Sequence, residues 1–243
     1  MKSRKLMMFL LVVIMLLVTA CGPGEKKSTK SGEEGVDASK FAIETTNNAP
    51  AVKDAVLKVA LVKDSPLVGI FYTNIGQGDG YDGELISTFF NNQLFDTDEN
   101  FEITDTGLST LSVDIPNKKA TIKIKDGVKW SDGQPLVADD IIYTFEVIAN
   151  KDYTGVRFDD ESLKVIGVKE YHEGKAGNIS GLKKIDDKTV EVSFTEIGQG
   201  IYTIGNGLIG SVLPKHYLKD IPIKDLEKSE RVRSKVLTLG LIQ

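Results

Sequence analysis

The chain has 243 residues, of which 41% are hydrophobic and 27% are charged. This composition supports a buried core and excludes a collagen-like chain or a disordered tail. The net charge of −5 argues against nucleic acid as a partner, because phosphate binding requires a basic surface. One cysteine cannot form an internal disulfide, and with two histidines it cannot complete a Cys/His metal site. We therefore expect neither a metal nor a cofactor.

Residues 1–20 are predicted to be a secretory signal peptide. Three basic residues, Lys2, Arg4 and Lys5, precede an apolar run over residues 6–18, and small residues follow it. An uncleaved anchor helix is the alternative, but the apolar run is shorter than the roughly 20 residues of a membrane span.

The lone cysteine follows this leader directly. Val18-Thr19-Ala20-Cys21 resembles the lipobox of bacterial lipoproteins, in which the cysteine thiol receives a diacylglycerol and becomes the new N-terminus. The resemblance implies lipidation at Cys21, by acyl chains such as palmitate, and a location at the outer face of the cell membrane. Two or more acyl chains anchor a protein stably, since each buried CH₂ contributes about 0.8 kcal/mol.

Residues 21–48 are predicted to be a flexible linker, because they have no hydrophobic periodicity. A segment that folds on contact with a partner is the alternative. The folded part is expected over residues 49–234. It begins with a predicted strand at 57–62, which is followed by a predicted helix over 81–95.

Alternating apolar and polar residues predict two pairs of strands. The first pair is a hairpin of residues 111–115 and 120–125, and the second joins 165–171 to 189–194 through Gly-containing loops and a turn at 186–188. A helix is predicted between the pairs, over 138–149. Because the pattern lacks a regular βαβ alternation, the predicted fold class is α+β, or an irregular α/β.

One long segment carries a family resemblance. Residues 120–145, ATIKIKDGVKWSDGQPLVADDIIYTF, resemble the signature of the oligopeptide and dipeptide solute-binding lipoproteins of ABC transporters, solute-binding protein family 5. Shorter resemblances lie at 69–71, 94–96 and 212–217. They imply a periplasmic-binding-protein-like fold, of which this chain is the N-terminal portion: the first lobe or lobes of a two-lobed receptor, with the second lobe absent.

Two departures from the family pattern stand out. Val137 occupies the position where the family usually has a threonine helix cap, which predicts a helix start weaker by about 1 kcal/mol. Residues 235–243 are predicted to be a non-family tail. We expect the chain to be a truncated product, with a frameshift as the hypothesis.

The resemblance implies a receptor that captures oligopeptides outside the cell and delivers them to an ABC permease in the membrane. The ligand would lie extended between two lobes, so this chain would carry at most part of the cleft and would be partly or wholly non-functional alone. The protein is expected to be a monomer, to bind no nucleic acid and not to be an enzyme.

Four residues are candidate ligand contacts: Gly69, Phe71 and Tyr72 in the loop after the first predicted strand, and Asn206 between two glycines. Phe71 could equally be a core residue, and Asn206 could lie in a turn without a ligand.

Three other residues are expected to be structural. Trp130 is predicted to pack in the interior, His216 to lie at a helix start, and His172 to be solvated in a polar loop.

Two other functions stay open at this point. One is a surface lipoprotein with an adhesive or scaffolding role, and the other is a receptor of the same family for a metal chelate, an opine or a sugar. An enzyme is disfavoured because neither histidine belongs to a catalytic motif.

Overall fold

The computed structural model describes residues 60, 62, 66–76, 80–83, 91–158, 164–198, 201 and 208–241. All of them belong to one compact unit, which begins at Ala60. The signal peptide, Cys21 and the linker lie outside these residues. Of the strand predicted at 57–62, Ala60 and Val62 are described, and neither is in a strand.

The described strands and helices alternate irregularly along the chain. The strands are β1 (Asp96–Thr97), β2 (Ile103–Thr104), β3 (Ser109–Asp114), β4 (Lys119–Ile124), β5 (Val128–Trp130), β6 (Leu182–Asp186), β7 (Thr189–Ser193) and β8 (Leu239–Leu241). The helices are α1 (Ala138–Ile148), α2 (Val168–His172), α3 (Lys215–Leu218) and α4 (Glu230–Arg233), with a 3₁₀ helix at Ile223–Lys228. The mixture confirms the predicted fold class.

An antiparallel sheet in the order β3-β4-β7-β6 forms the centre of the described structure. In β4 the side chains of Ala120, Ile122 and Ile124 are buried, and in β7 those of Val190 and Val192 are buried. Because side chains alternate between the two faces of a strand, these residues share one apolar face. The predicted hairpin at 111–125 is therefore confirmed.

Helix α1 covers this apolar face. Its residues Ile141, Phe145 and Ile148 are buried at helical spacing, as predicted, and the helix packs against β6, β7 and α3. Val137 contributes no side-chain hydrogen bond at the helix start. Instead the Asp140 carboxylate accepts from the Val137 backbone N–H at 3.1 Å, which supplies half of a capping box.

The strand predicted at 165–171 was wrong. Val168–His172 is helix α2, and the strand that pairs with β7 is β6. Val165 alone keeps a β contact, an isolated bridge to Phe194. The turn at 186–188 is correct, because it joins β6 to β7.

The helix predicted over 81–95 holds only in part. Residues 80–83 are helical, 84–90 lie outside the described residues, and 91–95 are not helical. Asn91 forms a parallel bridge with Leu239, and the Asn92 N–H donates to the Leu239 carbonyl at 3.2 Å. These bonds to a distant strand replace the bonds that a helix would make.

Strand β8 lies inside the segment that the sequence analysis set apart as a tail. It pairs antiparallel with β5, with Trp130 opposite Leu239 and Val128 opposite Leu241. Within the described part of the chain, no helix has the length and apolar character that crossing a membrane requires.

Candidate functional site

The candidate site is built on residues 66–76, which have no regular secondary structure. Contacts from distant parts of the chain hold this segment. The Phe71 N–H donates to the Val232 carbonyl at 2.9 Å, and an Arg233 guanidinium N–H donates to the Val68 carbonyl at 3.0 Å. Helix α4 therefore fixes the path of the segment.

Tyr72 ties the same segment to the chain just before β8. Its hydroxyl donates to the Leu237 carbonyl and accepts from the Leu237 N–H, both at 3.1 Å. The side chain is 3% exposed. Burial raises the pKa of Tyr72, so the phenol is neutral and serves as donor and acceptor at once.

A small cleft opens where this segment meets two other stretches of chain. Its lining residues are Tyr72, Thr73, Asn74, Asn91, Ser211, Val212 and Leu213, and its empty space, counted out to where it opens to solvent, is about 240 Å³. No lining residue carries a formal charge, so the cleft offers neutral donors and acceptors.

Hydrogen bonds within the cleft fix its walls relative to one another. The Thr73 hydroxyl donates to the Ser211 hydroxyl at 2.8 Å, and the Asn74 amide donates to the Ser211 carbonyl at 2.7 Å. The Asn91 amide donates to the Phe71 carbonyl at 3.2 Å, while its oxygen accepts from the Leu239 N–H at 2.9 Å. The cleft is thus a preformed feature of the fold.

The loop that follows α1 is hydrogen-bonded to two of the lining residues. The Tyr153 hydroxyl donates to the Asn74 carbonyl at 2.7 Å, and the Arg157 Nε–H donates to the Thr73 carbonyl at 3.3 Å. Burial raises the pKa of Tyr153 to about 12, although a hydrogen bond from the Arg157 backbone and the charge of Arg157 act in the opposite direction.

A second buried polar group supports the fold beside the site. Asp140, 1% exposed, accepts from Trp130 Nε1 at 3.2 Å, from the Val137 N–H and from the Lys215 N–H at 2.8 Å. It joins β5, α1 and α3. Burial raises the pKa of its carboxyl, which these three donors partly offset.

The candidate residues of the sequence analysis fall in different surroundings. Gly69 is half-buried with φ +70°, and Phe71 is half-buried with its N–H bonded to Val232. Tyr72 lines the cleft, but its hydroxyl is already hydrogen-bonded to the backbone of Leu237. Asn206 and Cys21 lie outside the described residues, so their roles stay predictions.

Asn91 and Ser211 line the cleft but were not among the candidate residues. Asn91 sat inside a stretch whose apolar spacing predicted a helix, and nothing in the sequence around Ser211 marks it. Asn74 lies two residues after Tyr72, in the same loop as three of the candidate ligand contacts, so the sequence did carry a signal for it.

The three structural predictions have mixed outcomes. Trp130 is fully buried, as predicted, and His216 lies near the start of α3, where its Nε2 is 2.9 Å from Asp132 Oδ2. The prediction for His172 was wrong. It ends helix α2, its Nδ1 lies 3.1 Å from the Ala149 carbonyl, and its ring stacks on Phe158 with centroids 4.1 Å apart.

The described residues contain no group of three or more His, Cys, Asp or Glu side chains placed to hold a metal ion.

Comparison with known families identifies the fold. A family model described as bacterial extracellular solute-binding proteins, family 5 middle, matches residues 107–240. The chain belongs to this family. The match runs through residue 240, so the family pattern extends further into residues 235–243 than the sequence analysis predicted. Members of the family are solute-binding proteins of ABC importers, as the resemblance implied, and are not enzymes.

Individual relatives agree with the family match. The chain is 34% identical to the oligopeptide-binding protein OppA of Lactococcus lactis subsp. cremoris strain SK11 over 243 positions, covering 94% of this chain and 38% of the relative. It is 28% identical to the oligopeptide-binding protein AppA of Bacillus subtilis, covering 99% of this chain and 38% of the relative. The chain thus spans well under half the length of these relatives.

Solved structures show the same fold. Lactococcal OppA, complexed with an endogenous peptide in the closed conformation, superposes with a TM-score of 0.67 at 33% identity, over 73% of this chain and 34% of that one. Bacillus subtilis AppA in complex with a nonapeptide superposes with a TM-score of 0.53 at 25% identity, over 68% and 30% of the two chains. The periplasmic-binding-protein-like fold is therefore confirmed, as a part of that larger structure.

Proposed function

We propose that this chain forms part of an oligopeptide receptor that serves an ABC importer. The observation that carries the proposal is its likeness to lactococcal OppA, a peptide complex, at 33% identity with a TM-score of 0.67. The neutral cleft beside residues 72–74 agrees with it. A peptide main chain offers one donor and one acceptor per residue, and neutral polar groups can pair with these whatever the side chains are.

The backbone just before the lining residue Tyr72 adds support. Within the described part of the chain, the amides of Gly69 and Ile70 have no hydrogen-bond partner, while those of Val68 and Phe71 are bonded to Asp82 and Val232. An extended ligand could pair with the two unbonded amides. Gly69 is kept as a ligand contact on this basis, and Phe71 and Tyr72 are proposed as the apolar wall beside it.

The cleft in this part of the receptor is small. Much of the 240 Å³ of empty space is open to solvent, so the enclosed part is far smaller than a site that encloses a drug-sized ligand, roughly 300–1,000 Å³. We propose that it holds one segment of the peptide and that a second lobe, present in the longer relatives, closes over the rest. This chain alone would then bind peptide weakly or not at all, as expected of a truncated receptor.

The receptor is proposed to be a monomeric lipoprotein, cleaved before Cys21 and tethered by acyl chains on that residue. The linker at 21–48 would hold the binding part away from the membrane and near the permease. Growth of the producing cells with labelled palmitate should label the protein, and the Cys21→Ser variant should be unlabelled. Equal labelling of both proteins would contradict lipidation at Cys21.

Peptide binding can be tested through thermal stability. A receptor extended to the length of its relatives should gain stability in a mixture of short peptides, by RT ln(1 + [L]/Kd) with the ratio [L]/Kd summed over the peptides that compete for the site. This chain alone should gain little. No gain for the extended receptor with peptides, together with a gain with a metal chelate or a sugar, would favour a non-peptide solute. No gain with any solute would favour an adhesive or scaffolding role.

A further inference from the structure

A charged side chain, Arg157, is hydrogen-bonded to a residue that lines the cleft. Arg157 is exposed, and its Nε–H donates to the carbonyl of Thr73, a lining residue, at 3.3 Å. Arg157 forms no ion pair with any described carboxylate. Its two terminal NH₂ groups are therefore available.

The other arginines among the described residues are already engaged. Arg231 is paired with Asp220 at 2.6 Å, and Arg233 donates to the carbonyls of Glu227 and Val68. These two side chains hold the fold together. Arg157 differs because a single bond, from Nε, positions it and leaves the outer edge of the guanidinium free.

The loop that carries Arg157 is held in place by its own contacts. The Tyr153 hydroxyl bonds to the Asn74 carbonyl, and the Thr154 hydroxyl donates to Glu227 Oε2 at 3.3 Å. A Cβ at Gly155 would lie 2.3 Å from the Tyr153 hydroxyl, so the Tyr153 ring folds closely over this glycine. The loop thereby places Arg157 beside Thr73.

We propose that Arg157 selects ligands by binding a carboxylate at the edge of the cleft. A guanidinium with two free NH₂ groups fits a carboxylate through paired, charge-assisted hydrogen bonds. The lining residues are neutral, so none of them competes for either charge. The inference rests on the proposed function, because it assigns a ligand group to the same cleft.

Two groups of a peptide present this chemistry: the C-terminal carboxylate and an acidic side chain. Four peptides distinguish these two groups. They combine Glu or Gln at one position with a free or an amidated C-terminus. The receptor extended to the length of its relatives is measured with each peptide by calorimetry. The variants are Arg157→Gln and Arg157→Lys, and Lys151→Gln is the matched control, because Lys151 is an exposed cation of the same loop with no contact to the cleft.

Arg157→Gln should weaken binding of the carboxylate-bearing peptides about tenfold, as loss of one charged hydrogen-bonding partner does. Its affinity for the peptide with Gln and a terminal amide should be unchanged. Arg157→Lys should keep part of the affinity, and Lys151→Gln should keep all of it. Whichever single neutralisation removes the effect identifies the carboxylate.

Equal affinities of the parent and Arg157→Gln for all four peptides would overturn the inference. An equal loss for all four peptides would overturn it too, because the arginine would then be structural. If the parent receptor binds no peptide at all, the proposed function fails and this inference fails with it.

Discussion

At the residue scale, single buried polar side chains connect parts of the chain that are far apart in sequence. Tyr72 reaches Leu237, Asn91 reaches Leu239, and Asp140 reaches Lys215. Each satisfies backbone groups that would otherwise be buried without a partner, which is costly. Tyr72 and Asn91 also line the cleft.

Replacement of Tyr72 by Phe should lower the free energy of unfolding by about 1–3 kcal/mol, because the Leu237 N–H and carbonyl lose their shared partner. Urea unfolding followed by circular dichroism measures the change. Tyr217→Phe is the control: its hydroxyl makes one bond, to the Lys235 carbonyl, at an exposed site, so a smaller loss is expected. A larger loss in the control would contradict the role given to Tyr72.

Asp140→Asn tests the electrostatics of the buried carboxyl. Because burial raises the folded pKa above the ordinary value of 3.8, the stability contributed by Asp140 is complete below that value. It is lost as the pH rises through the folded pKa. The variant has no such titration, so its stability deficit relative to the parent should narrow as the pH rises.

Urea unfolding of both proteins, from pH values below 3.8 to neutrality, measures this deficit. Carboxyls such as Asp139, whose pKa is lowered chiefly by a hydrogen bond from Lys184, titrate in both proteins and largely cancel in the difference. A deficit that widens with pH would mean that the three donors outweigh burial at Asp140.

At the element scale, the sequence predicts those elements whose pattern is local. The β3–β4 hairpin alternates strictly, and α1 has one apolar stripe, so both were predicted correctly. Residues 165–171 have the same kind of alternation, yet they fold mainly as α2, because β6 takes the place beside β7. The local sequence pattern of a segment does not reveal which segment pairs with a given strand.

The cleft was harder to predict for the same reason. Asn91 and Ser211 are 120 positions apart, and the fold alone brings them to the same cleft. Tyr72 is a candidate ligand contact because an aromatic side chain in its loop could form the wall of a pocket, and it lines the cleft. Its bond to Leu237, 165 positions away, had no local signal.

Gly181 provides a test of how closely β7 and the bridge at Val165 pack. A Cβ there would lie 2.7 Å from the carbonyl oxygens of Ile166 and Ser193, which are backbone atoms that cannot move aside easily. Gly181→Ala should therefore lower the free energy of unfolding by about 1–3 kcal/mol, as overpacking does. Gly177→Ala, where no atom lies within 4 Å, is the control and should change it little. Equal stabilities of the two variants would contradict the close approach.

At the scale of the whole molecule, the chain resembles one part of a larger receptor. It covers 34% of lactococcal OppA in the solved complex, and the residues that line its cleft are neutral. Binding of a peptide with useful affinity would need walls on the other side as well. The Arg157 proposal adds a preference for anionic ligands to this picture.

The most direct test is to identify what the receptor carries. The receptor, extended to the length of its relatives, would be purified from cells without denaturation, then unfolded, and its released ligands identified by mass spectrometry. We expect a mixture of short peptides, in amounts close to one per receptor, and almost none released from this chain alone. Release of a metal chelate, a sugar or no ligand from the extended receptor would contradict the account, and so would peptides held tightly by this chain alone.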